Sequence, residues 1–192
     1  MKNVINNHSA KENHFNLCKK LQEALKPFLY TKIVKKNEVL LSEGDTCKNI
    51  YFIRTGAIKQ YYISDGKEFI QNFYFEGNMA CHFNSFLTQT PSNSYMEAIE
   101  GSEIWILSYY NFQKISEASP KFHQEIAICM AKMNSLRVNL LLLSDAKLRY
   151  QKFLEEEAGL LQKVPQYMIA SYLGMTPETL SRIRKKLSRK AA

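Results

Sequence analysis

The stretch Val164–Leu187, "VPQYMIASYLGMTPETLSRIRKKL", sets two short helices on either side of a glycine. Pro165 fits the first helical position, where a missing amide proton removes no hydrogen bond. Met168, Ile169, Tyr172 and Leu173 recur at i, i+1, i+4 and i+5, which gives the first helix an apolar face. Gly174 ends that helix and lets Met175 turn inward. Thr176 then offers a side-chain N-cap and Pro177 a second pre-organised start. Two helices joined by a short turn containing Gly form a helix-turn-helix pattern.

The second helix sorts its residues by face. Leu180, Ile183 and Leu187 fall at i, i+3 and i+7 and are expected to point inward. Glu178, Arg182, Lys185 and Arg189 share an outer face, flanked by Thr179, Ser181 and Lys186. Short hydrogen-bonding groups at the helix start and long cations further on suit a major groove, with base readers at the tip and phosphate contacts behind them. Arg binds guanine bidentately and Glu accepts from cytosine N4. Glu repels phosphate, so a Glu among these cations points to base readout. The candidate DNA contacts are Gln166, Tyr167, Thr176, Pro177, Glu178, Thr179, Ser181, Arg182, Lys185, Lys186 and Arg189. The competing reading is an ordinary cationic surface helix.

Charge placement agrees with a polyanionic partner. The chain has 192 residues and a net charge of +8. From Lys163 onward seven Lys or Arg stand against the single acid Glu178. Charge alone does not separate a nucleic-acid surface from a solubilising tail.

Upstream the chain changes character twice. Residues 1–14 are polar and read as a flexible N-terminus. Phe15, Leu17, Leu21, Leu25 and Phe28 then share one helical face, and Pro27 helps to end that helix. From about Thr31 to Ser108, Gly44, Gly56, Gly66 and Gly77 are spaced 12, 10 and 11 residues apart. Between them lie β-favouring runs such as "NIYFI" and "EFIQNFYF", which read as an antiparallel barrel, roll or sandwich. Asp65-Gly66 predicts a tight hairpin. Further on, Ile126, Cys129, Met133, Leu136, Leu140 and Leu143 repeat with 3-4-3-4-3 spacing. Such a seam fits a two-fold dimer; the alternative is one amphipathic helix packed on its own β-domain. In "DAKLRYQKFLEEEAG", Asp145 predicts an N-cap, Leu148 and Phe153 a shared face, and Gly159 a stop.

The cysteines at 18, 47, 81 and 129 are far apart, which argues against a zinc knuckle or disulfide framework and for reduced thiols in the cytoplasm. The longest aliphatic run, Leu140–Leu143, is too short to span a bilayer. No P-loop, HExxH or Rossmann glycine pattern is present, so neither an enzyme nor a metal site is expected.

β-rich part, long helix and helix-turn-helix, in this order, resemble the Crp/Fnr superfamily of bacterial transcription regulators over about residues 15–190. "LLSEGDTCKNIYFIRTGAIK" (residues 40–59) resembles its first cyclic-nucleotide-domain motif, and "IASYLGMTPETLSRIRKKL" (169–187) resembles its DNA-binding motif. The resemblance implies an α+β chain: an antiparallel β-roll of the cyclic-nucleotide-binding, jelly-roll type with a leading helix (15–118), a dimerisation helix (119–144) and a helix-turn-helix domain (145–192). It implies that Glu178 and Arg182 contact bases, while Pro177 stands where another contact Arg is expected.

Two departures matter. Cyclic-nucleotide binders of this family carry Gly-Glu in a short helical loop and Arg-Ser some ten residues later. Counting back from "EIWILS", those positions hold Cys81-His82 and Ser92-Asn93. A buried phosphodiester without a cation is costly, so tight cyclic-AMP binding is not expected. Cys81, His82, Ser92, Asn93, Met133 and Arg137 remain as an effector pocket for a different small molecule, or for none. The N-terminal cysteine cluster of the iron–sulfur branch is not present, and no cofactor is expected. The second departure is the short "SRKAA" after the recognition helix, where many relatives add a wing.

The resulting expectation is a homodimeric, sequence-specific DNA-binding transcription regulator on a near-palindromic duplex, with RNA polymerase as a further partner. The competing function is a small-molecule sensor module that acts on a protein partner.

Overall fold

The computed structural model describes residues 25–157 and 160–191. The readings of Phe15, Leu17, Leu21, Cys18 and the Gly159 stop lie outside the described residues. Two compact units result. One holds the chain to Gln60 together with Phe73–Met133; the other holds Tyr61–Asn72 and the chain from Asn134 onward.

The first unit is a β-roll of two four-stranded sheets. Its strands are β1 (Tyr30–Val34), β2 (Val39–Leu41), β3 (Asn49–Thr55), β4 (Ala57–Ser64), β5 (Lys67–Phe75), β6 (Met79–Ala80), β7 (Tyr95–Ala98) and β8 (Ser102–Ser108). The strand orders are β1-β8-β3-β6 and β2-β7-β4-β5. β8 lies between two antiparallel neighbours, with Tyr51 of β3 and Tyr30 of β1 both opposite Ile106. Ile50, Phe52, Ile53, Ile58, Met79, Met96, Ile104 and Leu107 are fully buried. Strands covered on both faces read as near-continuous apolar runs, which is why "NIYFI" shows no alternation.

The chain passes from one sheet to the other at Gly56. Its φ of +93° is a conformation that side chains disfavour. A Cβ there would stand 2.7 Å from Cα and Cβ of Ser102. Ser102 is held close because its Oγ accepts from the Ala57 amide at 3.1 Å and donates to the Glu100 carbonyl at 2.9 Å. The glycine is therefore required by both torsion and space.

The helical part follows. Helix α1 (Phe83–Thr88) interrupts the strands, and α2 (Tyr109–Ala118) and α3 (Pro120–Leu141) come after the roll. In the N-terminal half of α3, Phe122, Ile126, Cys129 and Met130 join the roll's core. Where the predicted leading helix reaches the described residues, the chain makes a 3-10 turn at Lys26–Phe28 with Pro27 as its second residue.

The second unit contains the far arm of the β4–β5 hairpin, the end of α3, and helices α4 (Ala146–Glu157), α5 (Leu160–Lys163), α6 (Gln166–Tyr172) and α7 (Pro177–Ala191). Asp65 and Gly66 take φ of +51° and +71° at the hairpin turn, as the dipeptide predicts. The Asp145 carboxylate accepts from the Lys147 amide at 2.8 Å and caps α4. Phe153 is buried there with Tyr150, whereas Leu148 is exposed, so the inner face of α4 is offset from the one its sequence suggests. No helix among the described residues is long and apolar enough to cross a membrane.

Gly56→Ala is expected to lower stability by about 2–3 kcal/mol, because strain and a backbone clash add. Gly44→Ala, also at positive φ but with open space around it, should lose only about 1 kcal/mol. Denaturant unfolding of both variants checks the difference; equal losses would remove the close approach of Ser102 as the cause.

Candidate nucleic-acid interface

Helix α6 starts one residue later than its sequence suggests: Pro165 is the N-cap, with φ −56° and ψ 143°, and Gln166 is the first helical residue. Met168, Ile169, Ala170 and Leu173 are buried, so this helix supports rather than reads. It ends in a Schellman-type stop. Gly174 takes φ +62°, and the Met175 amide donates to the Ala170 carbonyl at 3.0 Å. That bond folds the chain back after the glycine and sets where the next helix begins.

Helix α7 is capped as predicted. Thr176 Oγ1 accepts from the Thr179 amide at 3.2 Å, and its own hydroxyl proton goes to Thr179 Oγ1, also at 3.2 Å. Leu180 is 1 % exposed, and Ile183 and Leu187 are half-buried on the same side. With that face fixed, Thr176, Pro177, Glu178, Ser181, Arg182, Lys185 and Lys186 are exposed, and Thr179 is half-buried. Arg182 Nε reaches back to the Glu178 carbonyl at 3.5 Å, one turn earlier. The Glu178 carboxyl is held below its usual range by its own backbone amide first, and also by the Arg182 charge. An ionised acceptor and a guanidinium thus stand one turn apart at the exposed start of the helix. For Arg189 only the backbone, within α7, is described.

A groove joins the start of α6 to the flank of α7, lined by Gln166, Ser181, Arg184, Lys185 and Ser188. Gln166 and Tyr167 are both exposed at its edge of the unit. Arg184 and Ser188 were not among the sequence candidates. The signal was present: Ser181, Arg184 and Ser188 follow i, i+3, i+7, a polar stripe beside the Glu178–Arg182 face.

The expected effector residues divide between the units. In the first, Cys81 and His82 lead into α1, and His82 caps it by accepting from the Ser85 amide at Nδ1, 3.3 Å. That leaves the proton on Nε2, which donates to Asn93 Oδ1 at 2.9 Å. Ser92 Oγ donates to the Ser94 carbonyl at 2.7 Å and accepts from the Ser94 amide at 3.1 Å. Nearby, Tyr74 donates to Gln60, and Gln60 donates to Ser94 Oγ, all three buried. The cation on β4, Lys59, alternates away from Ile58 and Gln60 and pairs with Glu97 at 3.5 Å. The four residues Cys81, His82, Ser92 and Asn93 therefore come together without a cation and with their polar groups engaged. Met133 lies in α3, with its side chain outside the described atoms.

Arg137 belongs to the second unit. It donates to the carbonyls of Gln71 and Ile70 at 3.0 and 3.3 Å and stacks 4.0 Å over the Tyr172 ring. Among the seam residues, Ile126 and Cys129 are 1 % and 0 % exposed within the roll's own core. At these two positions the helix packs on its own β-domain. Leu140 is buried and Leu143 half-buried; of Leu136 and Met133 only the backbone is described. The apolar residues α3 and its end leave exposed are Ile128, Val138, Leu141 and Leu142, the last at 75 %.

Residues 31–119 match the cyclic nucleotide-binding domain family. The chain is 30 % identical over 167 residues to the anaerobic regulatory protein of Haemophilus influenzae, covering 79 % of this chain and 64 % of that one. It is also 30 % identical to electron transport regulator A of Shewanella oneidensis, again over 79 % of this chain and 66 % of the relative. It thus spans slightly less than two thirds of these relatives' length. FixK2 from Bradyrhizobium japonicum shares its fold at TM-score 0.74 and 21 % identity, over 85 % of this chain and 86 % of that one. A regulator of the Crp/Fnr family from Eubacterium rectale does so at 0.67 and 19 %, over 93 % and 88 %. Over most of its own length the chain is thus similar to these regulators, with a cyclic nucleotide-binding domain match at residues 31–119.

Thr176→Ala is expected to lower stability by about 1 kcal/mol through loss of the cap, and Thr176→Ser to keep most of it. Thermal unfolding of the two variants checks this; an alanine variant as stable as the parent would remove Thr176 as the anchor of α7.

Proposed function

We propose that the chain is a homodimeric, sequence-specific DNA-binding transcription regulator whose roll does not take cyclic AMP. One observation carries the reading: a capped helix, buried along Leu180, exposes Glu178 and Arg182 together at its start, with Lys185 and Lys186 behind them. A merely adhesive cationic helix has no use for an ionised Glu at its tip. A base-reading helix does, because Glu accepts from cytosine N4 and Arg pairs with guanine O6 and N7. Gln166 and Arg184, which line the groove, and the exposed Tyr167 would then supply backbone contacts.

Two copies present two such helices to successive major grooves about 34 Å apart, on a near-palindromic site. Val138 and Leu142, exposed in the second unit, offer an apolar surface for that pairing. The relatives' names, anaerobic regulatory protein and electron transport regulator, support transcription control. RNA polymerase is the partner such a regulator addresses, the cytoplasm its compartment, and binding rather than catalysis its activity. Against cyclic AMP stands the absence of a cation at Ser92–Asn93 and the closed hydrogen bonding of His82, Gln60 and Ser94.

Selection of duplexes from a random pool by the purified chain, at two salt concentrations, is expected to return a two-fold symmetric site. On that site Arg182→Ala should cost about 1–3 kcal/mol and relax preference at one base pair per half-site. Lys186→Ala should weaken all duplexes alike and lower the salt slope by about 1. Equal affinity for selected and scrambled duplexes would overturn the proposal.

A further inference from the structure

We propose that Cys47 and Cys81 form an oxidisable dithiol inside the β-roll, which a peroxide converts to an intrachain disulfide. The two sulfurs are 3.9 Å apart, in contact, although 34 residues separate them. Each is nearly free of solvent, at 1 % and 2 % exposure. Cys47 lies in the loop between β2 and β3, and Cys81 lies between β6 and α1, directly before the capping residue His82.

The surroundings give the two thiols different roles. Cys47 Sγ donates to the Asn49 carbonyl at 3.4 Å, which leaves its lone pairs for the Cys81 proton. The Cys81 hydrogen bond draws the Cys47 thiol down to about 7, against the effect of burial. Burial pushes Cys81 well above the ordinary thiol range. Cys47 is therefore the attacking thiolate and Cys81 the resolving thiol. An open groove runs beside this loop, lined by Thr46, Lys48 and Asn49 on both sides of Cys47. A molecule as small as hydrogen peroxide reaches Cys47 from it by a local opening of the loop.

The chemistry balances with one peroxide. The Cys47 thiolate attacks one peroxide oxygen, the O–O bond breaks, and hydroxide leaves and is protonated to water. The Cys47 sulfenic acid so formed is attacked by the Cys81 sulfur. The S–O bond breaks, and hydroxide departs with the Cys81 proton as a second water. The sulfurs lose two electrons and the peroxide gains them.

The bond has a structural consequence. A disulfide needs about 2.05 Å between sulfurs, so the two must close by about 2 Å. The Cys47 backbone is already tied to α1: its amide donates to Ser85 Oγ at 2.8 Å, and Gln89 Nε2 donates to its carbonyl at 3.4 Å. Phe86 holds α1 down, edge-on to Tyr109 and Phe112 at 5.2 and 5.1 Å. The displacement thus falls on the lead into α1 and on the His82–Asn93 bond.

The test uses the full chain, reduced, desalted, treated with hydrogen peroxide, alkylated under denaturing conditions and mapped by mass spectrometry. The expected product is a Cys47–Cys81 cross-linked peptide pair, reversed by dithiothreitol and retained in Cys129→Ser and Cys18→Ser. In Cys81→Ser, dimedone should label Cys47 as the trapped sulfenic acid. The oxidation rate should rise about tenfold from pH 6 to pH 8 and then level off, as a thiol near 7 requires. Thiols that stay alkylatable where free glutathione is fully oxidised would overturn the proposal. So would cross-links to Cys18 or Cys129 instead, or a cross-link that forms only after unfolding in guanidinium. None of these outcomes depends on DNA, so the result stands apart from the proposed regulator function.

Discussion

One guanidinium, that of Arg137, ties three sequence-distant pieces of the second unit together. β5 ends its sheet among the described strands, so its outward carbonyls and amides lack a neighbouring strand. Arg137 supplies donors to the carbonyls of Ile70 and Gln71, and Ser171 Oγ accepts the Ile70 amide at 2.9 Å. Tyr172 covers the guanidinium face. Burial draws the Arg137 pKa below its ordinary value, since no carboxylate is among its contacts here; the carbonyls and the ring offset that cost. Ser171 and Tyr172 lie in the last turn of α6, directly before the Gly174 stop. The same contacts that complete the strand edge therefore fix the helix from which α7 departs.

That dependence explains what was legible in the sequence. The Asp65-Gly66 turn, the Gly174 stop and the Thr176 cap each depend on residues a few positions apart, and each appears as read. The β-rich middle and helical end were legible for a similar reason, since period and turn residues are local. The need for Gly56 was only half legible: its spacing marked a turn, but the crowding by Ser102 comes from 46 residues away. Arg137 could not be read at all, because its partners are backbone carbonyls, which carry no residue signature. The resemblance suggested an effector pocket; the structure puts its side chain on the hairpin arm.

The seam illustrates a different limit. A 3-4 repeat states that a helix has an apolar stripe, not what covers it. Ile126 and Cys129 are covered by Phe122, Met130 and the roll, so the same repeat served the interior of one chain. Ile128, Val138 and Leu142 stay exposed at other positions. They were harder to see because Ala131 and Ser135, at the intervening positions, are small and weakly apolar.

The roll's interior extends this argument to ligands. A phosphate at Ser92 would meet a hydroxyl already given to the Ser94 carbonyl, and a His82 proton already given to Asn93. It would have to break these bonds and find no cation in return, at a cost of several kcal/mol. The Ser92 hydroxyl and the His82 ring are thus already satisfied within the chain. What it retains is the mechanical layout: α1 is still hung between His82, Ser85 and the loop at Cys47. At the lead into this helix the chain places two sulfurs in contact. A covalent bond between them would pull on the Cys47 backbone that Ser85 and Gln89 hold.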